Sequence, residues 1–142
     1  MKIYFAGSIR GGRDEVKTYR QIISLLAHYG TVLTEHIGDT NLTSEGEAYP
    51  ADHIFTRDMR FIKDSDCLVA EVTVPSLGVG YEIAKAEEWG KKILCLYKET
   101  EGKKLSALIQ GCSDSGLITL VTYKNTNELA QIIENFFNKN VP

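Results

Sequence analysis

The chain lacks the features that mark a membrane protein or a protein that binds long nucleic acids. Its 142 residues contain no apolar run that approaches the ~20 residues needed to span a bilayer. Its 16 Lys and Arg are outnumbered by 19 Asp and Glu, so there is no broad basic field for a nucleic acid. The first residues enter a strand-like segment directly, without the regions of a signal peptide. We therefore expect neither membrane nor nucleic acid as a partner.

Cysteine and histidine are also scarce. The chain has three cysteines, an odd number, and Cys67 and Cys95 lie inside apolar, strand-like segments where a thiol behaves as a small hydrophobic group. We expect buried, reduced thiols in a cytoplasmic protein. The three histidines, His28, His36 and His53, show no ligand spacing with the cysteines. The sequence therefore predicts no metal site and no cofactor.

The hydropathy pattern that is present alternates between strand and helix. A length of 142 residues predicts one domain, 1–142, and 43% hydrophobic with 25% charged residues is ordinary for a globular protein. Apolar runs predict strands at 2–6, 31–34, 67–72, 92–97 and 117–122, and helical spacing predicts helices at 14–29, 54–63, 77–89, 105–110 and 127–138. We expect an α/β fold with three layers, in which helices cover both faces of a five-stranded, mostly parallel sheet (flavodoxin-like or Rossmann-like).

This architecture predicts where a ligand would bind. In open sheets of this kind the ligand lies beyond the carboxyl ends of the strands, where the strand order reverses. That rule brings together residues 7–12 after the first strand, His36 after the second, and residues 75–82 after the third. The irregular stretch 35–52, rich in Gly, Asn, Ser, Glu and Pro, is long for a small domain and is typical of a functional lid.

The first of these turns has the composition of a phosphate-binding loop. It lacks the spacing of a dinucleotide motif and of a Walker loop, and it lacks the acidic residues of a phospho-receiver. It does offer small residues, the Ser8 hydroxyl and the guanidinium groups of Arg10 and Arg13. Glycine lets the backbone approach a phosphate and arginine holds it in a fork. The alternative is an ordinary strand-to-helix turn with two solvated arginines.

The second turn points to chemistry on a phosphorylated small molecule. A Pro-Ser-x-Gly sequence at 75–78 opens a helix, where unpaired N–H groups can hold an anion. Glu82 follows within two turns, close enough to act on the molecule to which the anion belongs. The alternative is a glutamate placed early in a helix because it suits the helix dipole.

Five segments carry a specific resemblance. Residues 4–13, 32–36, 70–82, 93–96 and 105–111 resemble, in order, the 2′-deoxynucleoside 5′-phosphate N-hydrolases (the Rcl family), which are relatives of the nucleoside 2-deoxyribosyltransferases. The resemblance implies a single domain of that type. It also implies hydrolysis of the N-glycosidic bond of a deoxynucleoside monophosphate, which releases the base and 2-deoxyribose 5-phosphate.

The resemblance assigns catalytic roles to three residues. Glu82 matches the nucleophile, Asp58 the second catalytic carboxylate, and Tyr4 a tyrosine that hydrogen-bonds the nucleophile. Cleavage of an N-glycosidic bond builds positive charge on the anomeric carbon and negative charge on the base. Two carboxyls about 5–5.5 Å apart would imply a covalent, retaining route through a glycosyl-glutamate. Without the resemblance, Asp58 would be a surface helix residue and Tyr4 a core aromatic.

The resemblance also implies a substrate-binding surface and a partner. Ser106 matches a residue that reaches the phosphate of the neighbouring subunit, which implies a homodimer with shared active sites. Leu108 stands where a methionine is expected, and residues 38–52 do not align with the family. The implied binding residues are Gly7, Ser8, Ile9, Arg10, Gly11, Gly12, Arg13, His36, Ser76, Gly78, Ser106, Ala107 and Leu108.

Two other functions remain open from the sequence. A deoxyribosyltransferase would share the covalent intermediate but has little use for a phosphate site. A non-catalytic nucleotide-binding module would gain nothing from Glu82 beside a phosphate, because the two negative charges repel each other. The phosphate-binding loops therefore favour the hydrolase over the transferase, and the grouping of Tyr4, Asp58 and Glu82 favours an enzyme over a binding module.

Overall fold

The computed structural model describes residues 1–10, 12 and 15–141, with the backbone alone at 113 and 114. In this part of the chain the strands are β1 (Lys2–Ala6), β2 (Thr31–Val32), β3 (Cys67–Glu71), β4 (Lys92–Lys98) and β5 (Ile118–Tyr123). The helices are α1 (Val16–Leu26), α2 (Ala51–Asp64), α3 (Leu77–Glu88), α4 (Ala107–Gly111) and α5 (Leu129–Asn140). Short 3₁₀ helices span Glu35–Gly38, Cys112–Ser115 and Thr126–Glu128.

The strands pair in parallel in the order β2-β1-β3-β4-β5. Helices cover both faces, because successive residues of a strand point to opposite sides. Phe5 packs on the face that α1 and α5 cover, whereas its neighbour Tyr4 packs on the face that α2 and α3 cover. Every residue of β3 is buried, as expected for a central strand of a parallel sheet. The α/β, three-layer expectation is confirmed.

The strand order reverses between β1 and β3. The chain leaves β1 through α1 toward β2, and it leaves β3 through α3 on the opposite face toward β4. The loops after β1 and β3 therefore diverge, and a crevice opens between them at the carboxyl ends of the strands. This is the location that the sequence predicts for the ligand.

β2 is shorter than predicted, ending at Val32 instead of Thr34. The Thr34 side chain explains the difference, because its hydroxyl donates to the Phe5 carbonyl at 2.6 Å and accepts from the Phe5 N–H at 2.9 Å. A side chain thus takes the place of the backbone hydrogen bonds that would extend the strand. The chain is then free to turn into the Glu35–Gly38 helix.

The helices also differ from prediction at their ends. α2 begins at Ala51, three residues before the predicted start and directly after Pro50, whose ring fixes its φ at -58°. α1 ends at Leu26 instead of residue 29, and its predicted start at residue 14 lies outside the described residues. No helix in the described residues is long and apolar enough to cross a bilayer. The three cysteines are free, and Cys67 and Cys95 are buried as predicted.

Candidate active site

A cavity of ≈ 590 Å³ lies at the strand-order reversal. Its wall combines the loop after β1, the segment 37–47, one side of α2 and the first turns of α3. This volume is within the range of small-molecule sites. The cavity therefore joins the turn after β1 and the residues 75–82 that the sequence singled out.

Glu82 and Tyr4 form a pair in this cavity. Glu82 lines the cavity from α3, and Tyr4 lies behind it on β1 with 2% of its surface exposed. The Tyr4 hydroxyl donates to Glu82 Oε1 at 2.8 Å. Burial raises the pKa of the tyrosine far above its ordinary value, so Tyr4 keeps its proton and acts as a donor. The sequence separates the two residues by 78 positions, and the adjacency of β1 and α3 brings them into contact.

Asp58 faces the same cavity from α2, in an ionic network. Arg57 Nε donates to Asp58 Oδ1 at 2.8 Å, and the Arg57 Nη1 and Nη2 groups donate to Glu47 Oε1 and Oε2 at 2.6 and 2.9 Å. His36 Nε2 lies 3.5 Å from Glu47 Oε1. The side chains of Glu47, Arg57 and Asp58 are each 13–15% exposed, so solvent screens these charges only in part.

The environments of the two cavity carboxyls are not alike. Burial, with a smaller contribution from the charge of Asp58, raises the pKa of Glu82 to about 8, and the Tyr4 hydrogen bond opposes both. Burial also raises the pKa of Asp58, against the hydrogen bond and charge of Arg57. The Arg57 hydrogen bonds hold the pKa of Glu47 below its ordinary value. Burial thus raises the pKa of both Glu82 and Asp58, whereas Glu47 stays ionised beside Arg57.

The other end of the cavity is suited to an anion. Ser76 is the N-cap of α3, and its Oγ accepts from the Val79 N–H at 3.3 Å, which leaves the hydroxyl hydrogen free to be donated. Leu77 and Gly78 carry first-turn N–H groups, which have no carbonyl partner within a helix. Arg10 also lines the cavity and packs over Gly46. A phosphate here would meet N–H groups, a hydroxyl and a guanidinium.

Only some of the predicted residues in the turn after β1 line the cavity. Gly7, Ile9 and Arg10 line the cavity. Glycine suits position 7, because a Cβ there would lie 3.0 Å from both the Tyr19 and the Ile37 side chains, which would have to shift. Ser8 lies beneath the turn, fully buried, with its N–H donating to the Tyr19 hydroxyl at 3.1 Å.

The remaining predicted residues of the first two loops lie farther from the cavity. Gly12 has a φ of 134° and faces Val74. His36 lies behind the wall, against Glu47. Gly11 and Arg13 lie outside the described residues.

The structure does not bring the predicted residues of α4 to this cavity. Ser106 is the residue before α4, and Ser106, Ala107 and Leu108 are exposed, Leu108 by 82%. In the described residues, no group of His, Cys, Asp and Glu is arranged to hold a metal ion.

Sequence reasoning missed a stripe of α2 and part of the segment before it. Ala51, Ile54, Phe55 and Met59 line the cavity together with the predicted Asp58, at the helical spacing that places residues on one side of a helix. That spacing was a readable signal, which would have placed Asp58 on the cavity side of α2. Glu47 and its pairing with Arg57 had no such signal, because an irregular segment has no period.

Comparisons with known proteins agree on one family. A sequence model described as nucleoside 2-deoxyribosyltransferase matches residues 3–134. The chain is 47% identical over 138 residues to a 5-hydroxymethyl-dUMP N-hydrolase of Danio rerio, with 96% of each chain covered. It is 41% identical over 142 residues to a 5-hydroxymethyl-dUMP N-hydrolase of Homo sapiens, with 99% of this chain and 81% of the human protein covered.

Among solved structures, a CMP N-glycosidase from Clostridium botulinum matches with a TM-score of 0.73 and 23% identity. The match covers 96% of this chain and 99% of that one, and at this identity it concerns the fold alone.

Proposed function

The chain belongs to the nucleoside 2-deoxyribosyltransferase family, and from this premise we propose that it hydrolyses the N-glycosidic bond of 2′-deoxynucleoside 5′-monophosphates. The products are the free base and 2-deoxyribose 5-phosphate. The observation that carries the proposal is the contact of Tyr4 with Glu82 in a cavity that also holds Asp58 and the N-terminus of α3. Relatives named 5-hydroxymethyl-dUMP N-hydrolase, at 41% and 47% identity, support the substrate class.

The anion end positions the substrate. With the 5′-phosphate on Ser76, Gly78 and Arg10, the sugar extends along the first turn of α3 toward Glu82, one turn farther along the helix. Fixing the phosphate converts the attack into an effectively unimolecular step, which can lower a barrier by several kcal/mol, on the order of 7. Phosphate binding thus contributes to the reaction at the anomeric carbon.

The first step uses both carboxyls. The ionised Glu82 attacks the anomeric carbon, a bond forms between that carbon and the Glu82 oxygen, and the bond to the base nitrogen breaks. Asp58 gives its proton to the departing base, so the base leaves neutral. Tyr4 donates to Glu82 and stabilises its charged form before the attack.

The second step reverses the roles. Asp58, now ionised, takes a proton from water, and the resulting hydroxide displaces Glu82 from the anomeric carbon. The sugar leaves with retained configuration as 2-deoxyribose 5-phosphate. Glu82 is again ionised and Asp58 again protonated, so each cycle consumes one nucleotide and one water molecule and needs no other reactant.

A deoxyribosyltransferase is the second candidate, and the family description favours it. It would form the same covalent intermediate but transfer the sugar to a free base. The anion end of the cavity favours the hydrolase, because a nucleoside without phosphate would leave Ser76 and Arg10 without a ligand.

The site is proposed to be completed by a second copy of the chain. Ser106 would reach the phosphate in the neighbouring cavity, with Ala107 and Leu108 beside it. Exposed apolar residues support a contact, since Leu77 at the cavity rim is 98% exposed and Leu108 is 82% exposed. The buried free thiols of Cys67 and Cys95 support a reducing, cytoplasmic location.

One experiment separates the candidates. Purified protein is incubated with each deoxynucleoside monophosphate, the matching nucleoside and the matching ribonucleotide, and the released base is measured by chromatography. Base from the deoxy monophosphates alone, lost in Glu82→Ala, supports the hydrolase. Exchange of base between nucleosides supports the transferase. Bound nucleotide without any reaction supports a binding module.

The dimer has its own test. The variants Glu82→Ala and Ser106→Ala are mixed, partly unfolded and refolded together. A mixed dimer has one site with both native residues, so activity above the sum of the two variants supports shared sites. Activity equal to that sum contradicts them.

A further inference from the structure

Arg57 touches both Glu47 and Asp58, and neither Glu47 nor Arg57 has a role in the reaction described above. Both oxygens of Glu47 accept from the terminal nitrogens of Arg57, and the remaining donor of the guanidinium reaches Asp58 Oδ1 at 2.8 Å. The three groups are largely shielded from water. Arrangements of this kind are charge-assisted and directional, so they fix the positions of all three side chains.

Arg57 and Glu47 have opposite effects on the ionisation of Asp58. A lone guanidinium 2.8 Å from the Asp58 oxygen would favour the ionised carboxyl, which has no proton to give. Glu47 supplies a negative charge to the same guanidinium, so the network Glu47–Arg57–Asp58 is neutral when Asp58 is protonated. Ionisation of Asp58 then adds an uncompensated charge in a half-buried place, which is unfavourable.

We propose that Glu47 and Arg57 are positioning residues for Asp58: Arg57 fixes one oxygen of the carboxyl, and Glu47 cancels the Arg57 charge so that the other oxygen keeps a transferable proton. This inference rests on the proposed function. It means that the segment before α2, through Glu47, helps to keep the proton that Asp58 gives to the leaving group. In the described residues, the Glu82–Tyr4 pair has no such second charged partner.

Charged and titratable groups face Asp58 from its own helix, from the preceding segment and from across the cavity. Arg57 lies on the same helix, Glu47 and His36 on the preceding segment, and Tyr4 and Glu82 across the cavity. Burial raises the pKa of Asp58, the hydrogen bond and charge of Arg57 lower it, and the charge of Glu47 raises it. Tyr4 and Glu82 are unchanged in the variants below.

The signs of these effects give two opposite expectations. Glu47→Gln removes the compensating charge, so the pKa of Asp58 falls, by about one unit for a charge at this range. Arg57→Gln removes the positive charge, so the pKa of Asp58 rises by a similar amount, about one unit. If the Glu47–Arg57 contact only held the segment in place, the two variants would not shift the pKa of Asp58 in opposite directions.

The test is a ¹³C NMR titration of the aspartate carboxyls in the full-length protein, where Asp58→Asn identifies the Asp58 signal. Lower and higher midpoints in Glu47→Gln and Arg57→Gln, respectively, support the proposal. Unchanged midpoints, or shifts in the same direction, overturn it. Glu45→Gln and Arg60→Gln are matched controls on the same segment and helix, since both residues are exposed. They should leave the midpoint unchanged.

Two further measurements keep the test decisive. If Arg57→Gln does not fold, Glu47→Gln alone decides by its downward shift or lack of one. His36 lies 3.5 Å from Glu47, so the comparison is repeated in His36→Asn to remove its charge. The titration needs no substrate, and a wild-type protein that releases no base would contradict the proposed function while leaving the titration valid.

Turnover gives an independent reading. With less protonated Asp58 available, Glu47→Gln should lose about tenfold in kcat/KM at neutral pH for each unit by which the pKa falls. That deficit should shrink as the pH is lowered, because Asp58 then becomes protonated in both proteins. A deficit that is constant with pH would overturn the coupling to the Asp58 proton.

Discussion

Glu82 and Asp58 line one cavity, but a neutral phenol holds Glu82 and a charged guanidinium holds Asp58. A neutral donor offsets part of the cost of burial without adding charge, so the pKa of Glu82 stays at about 8. A guanidinium acts much more strongly on a carboxyl, but burial keeps the pKa of Asp58 raised even beside Arg57, whose charge Glu47 compensates.

The difference shows how two similar groups can take different roles. The proposed reaction needs the negative charge on Glu82 and the proton on Asp58. The Tyr4 hydrogen bond favours charge on Glu82, and the Glu47 charge favours a proton on Asp58. Burial raises the pKa of both carboxyls, and their different partners act on top of it, as in other enzymes whose environments separate paired acids.

Removing Glu82 should have the largest effect, because it removes one of the two compared carboxyls. We expect Glu82→Ala to lower kcat by on the order of 10⁴-fold or more, because a covalent route has no other nucleophile. Base release is measured by chromatography, with circular dichroism as the check on folding. Activity close to that of the wild type in a folded variant would remove the nucleophile assignment.

Removing the proton of Asp58 would separate the acid from the nucleophile. We expect Asp58→Asn to lower kcat by roughly 10²- to 10³-fold, the usual contribution of a general acid. The loss should be smaller for a deoxyribose 5-phosphate with a more acidic leaving group, which needs no proton. A loss that is equal for good and poor leaving groups would argue against an acid role in the first step.

Removing the Tyr4 hydroxyl tests what the neutral partner of Glu82 contributes, in contrast to the charged partner of Asp58. The Tyr4 hydrogen bond lowers the pKa of Glu82, so Tyr4→Phe should raise that pKa above about 8. Activity that needs ionised Glu82 then moves to higher pH, and kcat/KM at neutral pH falls by about tenfold for each unit. The full pH profile is the measurement, and a profile that drops without moving would contradict this reading.

A substitution at the anion end of the cavity should have the smallest effect on activity, because it changes neither Glu82 nor Asp58. We expect Arg10→Ala to raise KM for a deoxynucleoside monophosphate by about tenfold, the scale of one charge-assisted hydrogen bond, with kcat less affected. Any slow reaction with the matching nucleoside should not change. Equal losses on both substrates would place Arg10 outside phosphate binding.

Much of the fold could be predicted from the sequence, because buried parallel strands are written as apolar runs. Residues 67–71 show this most clearly, since every one of them is buried. The end of β2 was wrong by two residues, because the Thr34 side chain, and not the backbone, completes the pairing with Phe5. Propensity cannot show which group of a threonine makes the hydrogen bond.

The candidate site was predictable in part. The family resemblance singled out Tyr4, Asp58 and Glu82 as candidates, and the rule for strand-order reversal predicted a ligand site between β1 and β3, where the cavity lies. Spacing along α2 carried the information that Asp58 lies on the cavity side. The ion pair of Glu47 with Arg57 depends on the path of an irregular segment, and no local pattern specifies that path.

The hydrogen bonds between Thr34 and Phe5 have a consequence for dynamics. Thr34 lies before the segment that carries Glu47, and its hydroxyl is the acceptor for the Phe5 N–H. We therefore expect the Phe5 amide to exchange with solvent when Thr34 detaches from β1, in addition to exchange through global unfolding. Hydrogen exchange at this one amide reports the opening of the segment, in the presence or absence of ligand and independently of turnover.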